Sequence, residues 1–137
     1  MKTLERIPGV YVICKLRYLT RVDITLLLSE PFYAFSKSPE ETTLLCSNKV
    51  VEAFDERIED KIDNLKAMRF VDNTSKTTNI SEISIILSKA NINIYTQSTF
   101  DTDYILLKET DVEKAESMLV DAGYNINDLQ RITQEVA

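Results

Sequence analysis

The chain has 137 residues, 44% of them hydrophobic and 28% charged, with a formal net charge of −6. That length allows one domain, or two very small ones sharing a core, and the composition excludes wholesale disorder. The 16 Lys and Arg are scattered, so the clustered positive field that a phosphate backbone needs is missing and nucleic acid is not the expected partner.

Tyr11–Leu16 reads as a strand and Ile24–Leu28 as a short apolar helical turn. Met1–Leu4 lead into Glu5 and Arg6, not into an apolar leader segment. The longest apolar runs are far shorter than the ~20 residues that cross a bilayer. A cytoplasmic protein with no membrane partner is therefore expected. Phe32–Ser36 and Thr43–Cys46 read as two strands joined by the turn Lys37–Glu41, which holds Pro39. Val50, Val51 and Phe54 open a short helix. Cys14 and Cys46 each sit in an apolar run. This fits two reduced, buried thiols, with a disulfide between adjacent strands as the alternative. The charged stretch Asp55–Asp63 is the expected junction.

Asn64–Val71 reads as a strand, followed by a polar loop, Asp72–Thr78. Ile80, Ile83, Ile86, Leu87 and Ala90 then recur at helical steps. Asn79 is the expected N-cap, with Glu82 completing a capping-box-like start. Asn93–Ser98 is the next strand, Phe100–Asp103 an oxygen-rich turn and Tyr104–Lys108 another strand. Thr110 should cap a second helix with Glu113 at the box position, burying Val112, Ala115, Met118, Leu119 and Ala122. Gly123 should end it as a left-handed cap. Tyr124–Ile126 closes with a strand, and the polar tail Asn127–Ala137 reads as frayed or as a short helix. The order β-α-β-β-α-β is that of a ferredoxin-like α+β fold, an antiparallel sheet with helices on one face. The first half repeats it in degenerate form, without residue matches at a fixed period. The expected modules are 1–62 and 63–126, with 127–137 as tail.

Histidine is absent, so Ser-His and Cys-His pairs are excluded and the commonest general base is missing. Only Gly9 and Gly123 are glycines, so phosphate-cradling glycine loops are excluded as well. No catalytic residue, cofactor or metal site is expected. The run Ser98-Thr99-Phe100-Asp101-Thr102-Asp103 has three readings: a solvated turn, a cradle for an ammonium or other cationic group, or a calcium loop. The last has too few hard ligands. The helix start Thr78-Asn79-Ile80-Ser81 offers free N–H groups and a positive dipole end to a carboxylate, or is simply capped. An amino acid carries both complementary charges a few ångströms apart. The two segments are expected to converge when modules pack edge to edge.

The stretch Ile83–Tyr124 resembles the C-terminal ACT module of small two-ACT bacterial proteins. STFDTDYIL at Ser98–Leu106 carries the likeness, preceded by A-x-I-x-I at Ala90, Ile92 and Ile94. Ser29–Val50, with its S-x-P-F-Y start and TLLCS strand, resembles their N-terminal module. The likeness extends over about residues 9–126. The same modules are similar to the regulatory domains of aspartate kinases and to the cytosolic arginine sensor of animal cells, which hold free amino acids between ACT units. The resemblance implies an amino-acid-sensing, allosteric regulatory protein, paired internally or as a homodimer. It places Thr99, Phe100 and Asp103 at the ligand-contacting turn, with Asp103 facing a cationic group. Asn79 stands beside Ile80 where the family usually has glycine, and its side chain would crowd a ligand at the backbone. A ligand-free interaction module joined through exposed sheet edges is the alternative.

Overall fold

The structure is a computed structural model that describes residues 2–17, 24–71 and 76–129, the side chains of residues 76–79 excepted. Its strands are β1 (Thr3–Leu16), β2 (Ala34–Lys37), β3 (Thr42–Ser47), β4 (Ile58–Phe70), β5 (Tyr95–Ser98), β6 (Asp103–Lys108) and β7 (Asn125–Asp128). The helices are α1 (Lys76–Ser88) and α2 (Val112–Asp121). Contacts divide the chain into two compact units, residues 9–65 and residues 1–8 with 66–137. β1 and β4 therefore each contribute to both units, and the charged stretch expected as a junction is a 3₁₀ segment running straight into β4.

The N-terminal unit follows strand order β2-β3-β1-β4. β1 pairs antiparallel with β3, from Tyr11 against Ser47 to Leu16 against Thr42. Alternation on these strands points Val12, Cys14 and Leu16, and Leu44 and Cys46, into one core. Leu27 and Phe54 cover it from two 3₁₀ segments, Ile24–Leu26 and Val51–Arg57. Both are 3₁₀ where a short helical turn and a short helix were expected. Both cysteines are buried and free, as the apolar runs around them imply. The Cys46 thiol donates to the Cys14 sulfur, which pushes the Cys46 pKa up and the Cys14 pKa down.

The C-terminal unit runs β4-α1-β5-β6-α2-β7, the ferredoxin-like order. The start of β1 lies next to β4 and pairs parallel with β7, Thr3 against Asn125. Its core takes Leu4 from β1, Met68 and Phe70 from β4, and Ile105 and Leu107 from β6. Ile83 and Leu87 of α1 and Ala115 and Leu119 of α2 close over them. Leu119→Ala in such a core costs about 2–5 kcal/mol.

The helix ends share one motif. After α1, Asn91 at φ 58° takes the left-handed position, and Ile92 N donates back to Leu87 O at 3.1 Å. After α2, Gly123 at φ 101° does the same, and Tyr124 N donates to Leu119 O at 3.0 Å. Asn substitutes because it tolerates that conformation better than other non-glycine residues. The starts differ from expectation. α2 is preceded by a 3₁₀ turn, Glu109–Asp111, and its N-cap is Asp111 with no side-chain cap bond, so the Thr110–Glu113 box does not form. Its Ala122 is exposed beyond the helix end. α1 begins at Lys76, three residues before the expected cap, because Lys-Thr-Thr holds no helix breaker. The expected loop keeps only residues 72–75, which lie outside the described residues, as do 130–137 of the tail.

Ionic contacts of Lys2, Glu5 and Arg6 tie the start of the chain into the C-terminal unit. The Arg6 guanidinium forks onto Glu116 at 2.9 Å and reaches Asp128 at 3.0 Å. Arg69 donates to the buried Glu5 carboxylate at 2.8–2.9 Å. Lys2 and the Tyr124 hydroxyl both donate to Glu82 Oε1. The Lys2 bond, and after it the Tyr124 bond, holds the Glu82 pKa below the usual carboxylate value. Burial and the same Glu82 contact raise the Tyr124 phenol. A depressed carboxylate contributes stability above its unfolded value near 4.5, lost as pH falls through the folded one. A raised phenol contributes stability below 10.0, lost as pH rises. Urea melts across pH 3–11 should show Glu82→Gln losing about 1 kcal/mol at neutral pH and flattening both flanks. Gly9 at φ 104° gives a second test: Gly9→Ala should lose about 1–2 kcal/mol in the same melts, from backbone strain alone.

Candidate functional site

Five of the nine candidate residues come together in the β5–β6 hairpin. Tyr95 pairs with Leu106 and Ser98 with Asp103, so the strands close on the four-residue turn 99–102. Thr99 holds that turn three times over. Its N–H donates to Thr102 O at 2.8 Å, its hydroxyl donates to the same oxygen at 3.0 Å, and its Oγ1 accepts from Thr102 N at 3.2 Å. The turn is thus one residue earlier than the sequence implies, and Asp103 is the first residue of β6. Asp101 is exposed at the tip and the Phe100 ring is 95% exposed.

Asp103 is the unusual member. It is 3% exposed, one of two buried charged residues, with Glu5, among the described residues. Ser98 Oγ donates to its Oδ1 at 2.6 Å. A carboxylate has about four lone-pair sites, and burying a charge is costly unless it is paired. One hydroxyl leaves most of that capacity open, which a cationic or ammonium group satisfies best.

The other four candidates lie on α1. Thr78 and Asn79 fall in its first turn, and their side chains lie outside the described residues. Ile80 packs against the hydrophobic core and Ser81 is exposed. With the helix starting at Lys76, the N–H groups of Ile80 and Ser81 are a turn inside, where they bond to carbonyls four residues back. The unpaired donors therefore belong to residues before Asn79. Topology still brings helix start and hairpin to one end of this unit. A single helix joins β4 to β5, and the right-handed crossover makes the two strands parallel. β6 lies between them, antiparallel to β5. The end of β4, the start of α1, the turn and Asp103 thus share one end of the sheet.

The sequence reading missed a cleft of the N-terminal unit, about 500 Å³, lined by Val12, Asn48, Glu52, Asp55, Lys61 and Asp63 among others. Its residues come from three separated segments and share no motif. Asn64, also on this cleft, has φ 58° inside β4. Among the described residues no three His, Cys, Asp or Glu are grouped to hold a metal ion, and no helix is long and apolar enough to cross a membrane.

Residues 62–121 match the family model of the ACT domain. The chain is similar in structure to protein Atu0741 of Agrobacterium tumefaciens, with TM-score 0.73, 20% identity and coverage of 95% of this chain and 96% of that one. It is similar to VC0802 of Vibrio cholerae, a protein of unknown function, with TM-score 0.65, 16% identity and 88% of each chain covered. It is also similar to the regulatory subunit of aspartate kinase from Thermus thermophilus in its ligand-free form, with TM-score 0.57 and 10% identity, over 88% of this chain and 94% of that one. No curated protein matches by sequence. Residues 62–121 thus carry the likeness to the ACT domain, and the chain has the ferredoxin-like fold seen in the regulatory subunit of aspartate kinase.

Ser98→Ala removes the donor to a buried carboxylate and should cost about 1–3 kcal/mol in urea unfolding. Ser98→Thr, which keeps the hydroxyl, should recover most of it.

Proposed function

We propose that the protein is a non-catalytic regulatory protein that binds a free amino acid at an interface between ACT units, within the chain or between two copies. The observation that carries this is the buried Asp103 carboxylate, held by a single hydroxyl and set at the same end of the sheet as the start of α1. Asp103 takes the ammonium or cationic side chain. Thr99 and Ser98 fix the turn that presents it, and Phe100 and Asp101 at the tip face the ligand or the adjoining unit. The first-turn N–H groups of α1, including Thr78, take the carboxylate, while Asn79, Ile80 and Ser81 shape the wall behind it. The ACT match and the likeness to a regulatory subunit of aspartate kinase support the regulatory reading.

A second reading is a ligand-free interaction module. β2 and β5, four residues each, end the strand order in their units, and such edges pair with other chains.

A thermal-shift screen of the twenty amino acids at millimolar concentration separates the two. Ligand at 100-fold over Kd stabilises by about 2.7 kcal/mol, so a selective rise in Tm is expected for one or a few of them. Asp103→Ala should weaken that ligand by about 2–5 kcal/mol. A flat screen on a folded oligomer would favour the interaction module.

A further inference from the structure

The two hairpins are copies at the level of individual hydrogen bonds. In the N-terminal unit Ser38 N donates to Glu41 O at 2.8 Å, the Ser38 hydroxyl meets the same oxygen at 3.3 Å, and Glu41 N donates to Ser38 Oγ at 3.2 Å. These are the three bonds of Thr99 and Thr102. Thr99 follows Ser38 by 61 residues. The same step carries Leu44 to Ile105, Cys46 to Leu107 and Phe54 to Ala115, each buried in its own unit's core. The repeat therefore has a fixed period from hairpin to following helix, invisible as residue identity but plain as register.

In that register the two turns are closed by different strand pairs. Ser98 and Asp103 close one, Lys37 and Thr42 the other. The buried carboxylate of the C-terminal hairpin is an uncharged, half-buried Thr42 in the N-terminal one, and the hydroxyl that serves it is an exposed ammonium. The closing pairs thus differ in charge, a buried carboxylate in one copy and an exposed ammonium in the other, while the N-terminal turn carries its carboxylates, Glu40 and Glu41, at exposed positions. A cation finds a buried carboxylate at the closing pair of the first and none at that of the second.

We infer that the chain has one ligand-holding hairpin and not two: the C-terminal hairpin binds the cationic group, the N-terminal hairpin is a structural copy without that role, and the residue opening the second hairpin strand, Asp103 or Thr42, decides which is which. This rests on the amino-acid-binding reading above. Isothermal titration and native mass spectrometry of the full chain with L-arginine, L-lysine and L-ornithine test it. One ligand per chain is expected. Asp103→Asn should weaken binding at least tenfold, while Thr42→Val and Lys37→Ser stay within twofold of the parent. Circular dichroism confirms that each variant is folded. Two ligands per chain, or a tenfold loss in either N-terminal variant, overturns the inference and leaves the binding reading standing. No binding of any of the three by the parent overturns the inference, and a flat screen of all twenty amino acids removes the binding reading as well.

Discussion

The antiparallel pairing of β1 with β4 is the constraint on which both units depend. At one end Arg17 N donates to Arg57 O at 2.8 Å, and at the other Val71 N donates to Thr3 O at 3.0 Å. Between those bonds each strand passes from one unit to the other, so neither core forms without residues lent by both strands. Leu4 and Met68 belong to one core, Val12 and Ile58 to the other. The passage falls at Gly9 and Asn64, the two positive-φ residues of these strands. Gly9 at φ 104° takes a backbone conformation that other L-residues rarely adopt, which accounts for glycine at that position.

That arrangement explains why the ionic contacts collect around the first residues. Thr3–Pro8 lie far in sequence from the unit they join, so their association carries a large loop-closure cost. Arg6 on Glu116 and Asp128, Arg69 on Glu5, and the Lys2–Glu82–Tyr124 cluster offset it with directed bonds to α1, α2, β4 and β7. They tie β7 and α2 to the start of β1, and α2 packs with α1 over the same core. The turn of the hairpin carrying Asp103 keeps its shape through the bonds between Thr99 and Thr102.

The C-terminal fold was legible because its signals are local. Helical spacing of Ile80, Ile83 and Leu87, Gly123 after α2, and polar turn residues between two apolar runs each act within a few positions. The Ser98–Asp103 hairpin was legible for the same reason, as two strands joined by a polar turn. What was not legible depends on distant partners. Thr3–Pro8 looks like a ragged start until β7 and β4 flank it, and Ile58–Asp63 looks like a charged linker until β1 lies beside it. The boundary of α1 was missed because Asn79 is a good cap in isolation, while the chain before it is equally free to be helical. The 61-residue register escaped because it conserves burial and hydrogen bonding, as in Phe54 and Ala115, and not residue type.

The central claim is that ligand chemistry resides at the end of the C-terminal sheet, at Asp103 and the start of α1. Two-dimensional NMR titration of the isotope-labelled chain with the amino acid that most raises its Tm tests this directly. The account requires the largest shifts at the amides of Ser98–Tyr104 and the first turn of α1, with the N-terminal hairpin Lys37–Thr42 little changed. Shifts centred instead on the cleft of Asn48, Glu52, Asp55 and Lys61 would contradict it and move the binding site to the N-terminal unit.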